Sequence, residues 1–390
     1  MRRLRRTFVF PLTSAAEKHL VSEKTLIKRF FKGTGVVLAG IECSPKIFDF
    51  RANGIPDQER VEKVDTLKRR GILYPVAYCG FERNIKMLSF LSSLPGAAAQ
   101  GAIWGIMAVG VFITYKILDL ADLTVDGSFG TGGAVLVVCT AGGMNIYLAM
   151  LLALLAGCAA GFVTGVLNTK FGIPAILAGI LTQIALYSVN LRIMSGKANQ
   201  PLSAMKYKDI LLVTLRNINK SLLVCGIFVV VIIALLYWFF GTELGHSLRA
   251  TGCNQAMARA NGINTSTNKI IGFVLSNGLV ALAGGLLAQY QGFADVNMGR
   301  GAIVIGLAAI IIGDVVFGKI FKNFALKLLG AVLGGIIYYV VISFVLWLGL
   351  PANDLKMLTA AVVALFLGIP YWKAKLTEKR IIPSGGKKNA

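Results

Sequence analysis

The chain has 390 residues, of which 56% are apolar and only 15% charged, with a mean hydropathy of +0.70. A soluble fold carries roughly a quarter of its residues as charges and cannot hide this much apolar surface, and the same numbers exclude a disordered or collagen-like chain. The excess of 40 basic over 18 acidic residues divides into 18 and 9 before Met87 and 22 and 9 from it onward; spread between apolar runs, it fits the cationic loops of a membrane protein rather than a nucleic-acid binder.

Residues 1–86 stand apart from the rest. Residues 1–6 are arginine-rich, but the apolar run 7–12 behind them is too short for a secretory core. The stretch 51–70 shows no sustained helical or strand period. Residues 1–86 are therefore expected to be a poorly ordered basic extension or the product of a start codon placed too early, since Met87 opens directly on the first apolar span.

From Ala97 the pattern is helical and apolar. A helix needs about 20 residues, at about 1.5 Å each, to cross a hydrocarbon core of about 30 Å. Nine segments qualify as candidates: 97–117, 129–141, 146–167, 173–191, 222–240, 270–289, 302–317, 328–348 and 355–371. Lipid offers the backbone no other partner, so each must be helical. Segment 129–141 is short and segment 173–191 begins beside Gly172 and Pro174; either is a candidate re-entrant piece. The expected fold is an all-α polytopic bundle of about eight to ten transmembrane helices, filling residues 87–372, followed by a basic tail over 373–390.

Basic residues orient this bundle. Lys373, Lys375, Lys379, Arg380, Lys387 and Lys388 place the tail inside, and Lys319, Lys322, Lys327, Arg249, Arg259 and Lys269 follow it. Arg192, Lys197, Lys206, Lys208, Arg216 and Lys220 then fall outside, against the rule. Small residues recur at spacing four in Gly157/Gly161/Gly165, Gly101/Gly105 and Gly330/Gly334. Such rows let helices approach closely, within a compact bundle or across a dimer.

Catalytic machinery is not visible. Gly196-Lys197, Gly318-Lys319 and Gly386-Lys387 each lack the following Ser or Thr of a phosphate-binding loop. The only histidines are His19 and His246, and six scattered cysteines form neither a zinc pattern nor a disulfide framework. Ionisable residues sit near span ends, as Lys116, Asp119, Asp295, Asp314 and Lys319 do, which argues against ion-coupled transport. Asp314 reads as a terminal residue facing water. No cofactor or metal is expected.

The polar loop 241–269 carries more information. It reads Leu248-Arg-Ala-Thr-Gly-Cys-Asn-Gln-Ala-Met-Ala-Arg-Ala-Asn-Gly-Ile-Asn-Thr265. Thr251-Gly252 is expected to break the helix, leaving 254–261 helical, with Asn254 as its cap and Gly262 in its closing turn. Ala256 and Ala260 would form a smooth stripe at spacing four. Such a helix either connects two spans or fits a partner's groove.

This loop resembles the coupling segment of ABC importer permeases of the branched-chain amino acid/ribose class. Further stretches resemble tryptophan/tyrosine transport permeases more closely: Asp122-Leu-Thr-Val-Asp-Gly-Ser-Phe129, Leu177-Ala-Gly-Ile-Leu-Thr182, and Tyr187-Ser-Val-Asn-Leu-Arg-Ile-Met194 with Gly196-Lys-Ala-Asn199. Two more are Leu287-Ala-Gln-Tyr-Gln-Gly-Phe-Ala-Asp-Val-Asn-Met-Gly299 and Leu350-Pro-Ala-Asn-Asp-Leu-Lys356. One departure is that Cys253, Asn254 and Gln255 stand where the family usually has acidic residues.

The resemblance implies a non-enzymatic permease subunit in the bacterial inner membrane, moving a small solute of the amino-acid class, aromatic amino acids included. It implies three protein partners: a second copy of the chain, a cytosolic ATP-binding cassette ATPase that hydrolyses the ATP, and an extracytoplasmic solute-binding protein. Membrane lipid surrounds it and nucleic acid has no role. Leu248, Arg249, Ala250, Gly252, Asn254, Ala256, Met257, Ala260 and Gly262 are the expected ATPase-coupling residues. Polar side chains in or beside the 270–289 span are candidates for the solute route: Ser276, Asn277, Gln289 and Gln291. The alternative for Ser276 and Asn277 is a bond to a neighbouring helix, worth about 1 kcal/mol. Tyr290 and Phe293 read as interfacial aromatics. Competing functions are an ATP-independent carrier or channel and a membrane scaffold.

Overall fold

The computed structural model describes residues 76–202, 212–213 and 218–348, with isolated helical positions between 357 and 368. The chain divides at Pro75, and the described elements all belong to the second unit, which begins at Val76. Its first helix, α1 (Val76–Phe112), runs through Met87 and passes into a π-helical turn, Ile113–Ile117. Then come α2 (Thr124–Ala141), α3 (Ile146–Thr169), α4 (Ala175–Ile193) and the short strand β1 (Asn199–Pro201). After α5 (Ile218–Phe240) there are two short helices, α6 (Glu243–Cys253) and α7 (Gln255–Ala260). The last elements are α8 (Thr265–Gln291), β2 (Phe293–Asp295), α9 (Ala302–Phe317) and α10 (Phe324–Trp347).

Among the described residues, six helices are long and apolar enough to cross a membrane: Ser93–Ile117, Ile146–Thr169, Ala175–Ile193, Ile218–Phe240, Thr265–Gln291 and Phe324–Trp347. The fold is thus all-α and polytopic, as expected. Segment 173–191 forms an unbroken helix long and apolar enough to cross, because Pro174 stands as its cap, where a missing N–H costs nothing. Segment 129–141 is longer than its apolar run, since Thr124 to Ser128 join the helix. The ninth candidate, 355–371, and the 373–390 tail lie largely or wholly outside the described residues.

Two helices form the centre. The spanning window of α1 is 83% buried and that of α8 72%, against 28% for α4 and 22% for α5. The glycine rows explain the close packing at that centre. A Cβ on Gly161 would overlap the Phe273 carbonyl of α8, one on Gly105 would meet the Val332 Cα of α10 at 2.9 Å, and one on Gly334 would overlap Ala309 of α9. All three rows are therefore spent on contacts within the chain.

The α6 end of the bundle also holds Ile117, Phe240, Phe324 and the ion pair between Lys116 Nζ and Asp314 Oδ2 at 2.8 Å. Asp314 thus faces outward but has a partner. At the other end β1 and β2 form an antiparallel ladder, with Asn199 opposite Asp295.

Candidate functional site

The α6–α7 segment divides into a half that docks on its own bundle and a half that does not. Leu248 is fully buried beside Gly272 of α8, where the absent Cβ leaves room for it. Gly252 lies so close to the Ile117 carbonyl that any Cβ would overlap it. Asn268 of α8 donates from Nδ2 to Thr251 Oγ1 at 2.9 Å and accepts from Ser247 Oγ at 3.3 Å. Arg249 lays its guanidinium 4.2 Å from the centre of the Phe324 ring and 5.4 Å from that of Phe240, and Ala250 is half-buried.

This corrects the expected break at Thr251-Gly252. The helix continues through both residues to Cys253, because Thr251 Oγ1 donates to the Ser247 carbonyl at 2.8 Å and Asn268 pins it from outside. Gly252 serves close approach and not chain reversal. The break falls at Asn254, whose extended backbone separates the helices and whose side chain accepts the Met257 N–H at 3.0 Å. Gly262, with φ +75°, makes the closing turn in a left-handed conformation natural to glycine.

Beyond that break the surface changes. Asn254, Ala256, Met257, Ala260 and Gly262 are exposed, Met257 to 65%. Ala258 points inward and is buried. Arg259 folds back, donating from Nε to Thr265 Oγ1 at 2.9 Å, so it belongs to the start of α8. What remains is a short, small-residue ridge with one flexible thioether standing out of it.

Ser276 and Asn277 lie in the bundle core with no exposed surface. Ser276 Oγ donates to the Gly110 carbonyl of α1 at 2.8 Å. Asn277 donates from Nδ2 to Asp122 Oδ2 at 2.7 Å and accepts from Ser128 Oγ, also at 2.7 Å. Asp122 accepts the Thr124 N–H at 2.9 Å on its other oxygen. A hydroxyl chain extends this network, Thr124 to Thr164 at 2.7 Å and Thr164 to Thr182 at 2.9 Å, so α2, α3, α4 and α8 all take part.

Reading the sequence for ionisable residues at span ends missed Asp122, which is only 2% exposed. The available signal was the run of hydroxyls inside apolar spans, each needing a partner. Asp126 was missed too; it accepts the Gly301 and Ile303 N–H groups, both at 2.9 Å, and so caps α9 where Gly301 has no side chain to do so.

Gln289 differs from its neighbours. It is 1% exposed, and neither its Oε1 nor its Nε2 has a hydrogen-bond partner. Gln291 is half-buried. Tyr290 is buried and donates its hydroxyl to the Gly96 carbonyl at 3.1 Å, whereas Phe293 is exposed.

Residues 93–368 match the family described as branched-chain amino acid transport system / permease component. The chain is 41% identical over 296 residues to a tyrosine transport system permease protein of Clostridioides difficile (strain R20291), covering 75% of this chain and 97% of the relative. It is 35% identical over 273 residues to an uncharacterized protein of Rickettsia prowazekii (strain Madrid E), covering 70% and 95%. An autoinducer 2 import system permease protein of Yersinia pseudotuberculosis serotype O:3 (strain YPIII) is 28% identical over 280 residues, covering 70% and 75%. With six helices among the described residues long and apolar enough to span a bilayer, the protein is a multi-pass permease of the bacterial inner membrane and a transport component. By the match over 93–368 and the identities above, it belongs to the branched-chain amino acid transport system permease family.

Proposed function

We propose that the chain is the membrane-spanning subunit of an ATP-binding cassette importer for a small solute of the amino-acid class, aromatic amino acids included. The observation that carries this reading is the division of the α6–α7 segment. A loop that merely joined α5 to α8 would have no need to anchor one helix by Leu248, Arg249 and Gly252 while leaving Ala256, Met257 and Ala260 bare on the next. A rigidly mounted, small-residue ridge suits a groove on a cytosolic ATPase. Rigid-body displacement of such a mount is how packed interfaces transmit a nucleotide-driven change. The solute arrives from an extracytoplasmic binding protein and passes between two copies of the chain.

The 41% identity to a tyrosine permease supports the substrate class. Gln289 is the favoured contact along the route, reached when the helices packed on it part, and half-buried Gln291 follows it in α8; two unanswered polar atoms in a buried position cost about 1–3 kcal/mol each until something bonds to them. Ser276 and Asn277 are assigned instead to holding helices together.

The test is reconstitution in proteoliposomes with the ATPase and binding subunits, measuring uptake of labelled L-tyrosine with and without ATP. ATP-dependent uptake that disappears when the ATPase is left out is the expected result. Uptake indifferent to both would identify a carrier or channel.

A further inference from the structure

Asp122 is a carboxylate buried in a membrane bundle, and among the described residues no basic side chain pairs with it. Such groups are costly in this setting and mark function more often than structure. Its two oxygens hold two separate things, the Thr124 N–H at the start of α2 and the Asn277 amide in the middle of α8.

The chain reaches Asp122 by an irregular path. Leu118 N–H bonds back to the Ile113 carbonyl at 3.1 Å, and Leu120 N–H to the Thr114 carbonyl at 2.9 Å. Asp119 between them adopts φ +54°, a left-handed conformation uncommon outside glycine. Wide turns and strained residues of this sort recur where a chain must move.

That turn is the surface on which α6 rests. Gly252 sits against the Ile117 carbonyl, and the buried Leu118 side chain fills the space beside Gly272 that Leu248 also borders. Leu118 is four residues from Asp122. The same helix α6 is bonded through Thr251 to Asn268, nine residues before Asn277 on α8. A shift of α6 relative to α8 therefore drags Leu118 across Gly272, and with it the carboxylate across its amide partner.

We propose that Asp122 is a positioning residue of the transport cycle, latching α2 to α8, and that α6 opens or closes the latch by bearing on Ile117 and Leu118. This rests on the reading that α7 receives an ATPase.

The experiment uses the full chain with native cysteines replaced by serine, assembled with its ATPase subunit, and carrying Leu136→Cys on α2 and Gly285→Cys on α8, whose β-carbons would lie 3.6 Å apart. The rate of disulfide formation between these two positions is measured without nucleotide and with ATP. The two rates are expected to differ by about fivefold, the factor that one side-chain hydrogen bond in a membrane protein sets. Adding Asp122→Asn, whose single carbonyl oxygen can accept from the Thr124 N–H or from the Asn277 amide but not from both, should make the rates equal. The exchanged pair Asp122→Asn with Asn277→Asp should restore the difference. Equal rates in the starting protein, or a difference that survives Asp122→Asn, overturn the latch. Failure of the unaltered chain to bind the ATPase at all overturns the coupling reading first, and the latch with it.

Discussion

The guanidinium of Arg249 lies 4.2 Å from the centre of the Phe324 ring, joining the docked helix α6 to the first turn of α10. A cation over an aromatic face contributes about 0.5–2 kcal/mol, the larger value where water is excluded. Arg249→Ala is expected to loosen α6 by that amount, and Arg249→Lys by less. The check is the rate at which Cys253, exposed at the end of α6, reacts with a bulky thiol reagent in detergent-solubilised protein. An unaltered rate in Arg249→Ala would show that Leu248 and Gly252 suffice.

The bare ridge of α7 gives a second expectation. Ala256→Trp and Ala260→Trp add bulk to exposed positions, so membrane insertion and folding should stay normal. Overpacking a close contact costs about 1–3 kcal/mol, which is roughly a five- to hundredfold loss of affinity. Co-purification of the ATPase and tyrosine uptake should both fall by such factors. If neither variant changes either quantity, α7 is only a connector.

Sidedness is open to a direct test on native residues. Cys253 should resist an impermeant thiol reagent in intact cells and react in inside-out vesicles, because it sits beside the proposed ATPase seat. Labelling in intact cells would invert the orientation proposed for α6 and α7.

Two glycines should respond in opposite ways. Gly161→Leu forces a side chain into the Phe273 carbonyl and should prevent α3 from packing on α8, lowering yield and melting temperature. Gly226 in α5 has nothing within 4 Å of where its Cβ would be. Gly226→Ala should therefore be neutral or stabilise by about 0.4–1 kcal/mol through the unfolded chain. Melting curves in detergent read both.

Gln289→Leu should separate stability from transport. Removing two unpartnered buried polar atoms is expected to raise the melting temperature, while uptake of tyrosine falls. A variant that is both stabilised and fully active would take Gln289 off the solute route.

Much of the fold was legible in the residues, for reasons that differ by element. Spans announce themselves because lipid punishes every polar side chain and every unpaired backbone group alike. The rows at Gly157, Gly101 and Gly330 could be read as close-contact surfaces. Which surface they met, α8, α10 or α9 of the same chain, could not, because a spacing of four says nothing about the partner. Thr251-Gly252 misled for a related reason. Local propensity marked a break, but Ile117, 135 residues earlier in the chain, needs the missing Cβ for contact. Asp122 was invisible as a buried residue because hydropathy along the chain places it in a polar gap between two helices, whereas folding returns that gap to the middle of α8.

The allocation of small residues also settles what kind of surface is left over. With most glycines of its long helices turned inward, Gly226 of α5 excepted, the chain shows its surroundings Ile176, Leu181, Ile184 and Tyr187 on α4 and Leu223, Val230, Leu235 and Trp238 on α5. Helices that meet through such side chains stand apart by the full depth of two residues instead of touching backbone to backbone. Contacts of that sort behave like a loosely meshed gear. They can re-seat by rotamer changes, so a helix packed on this face has more registers open to it than one locked glycine against backbone.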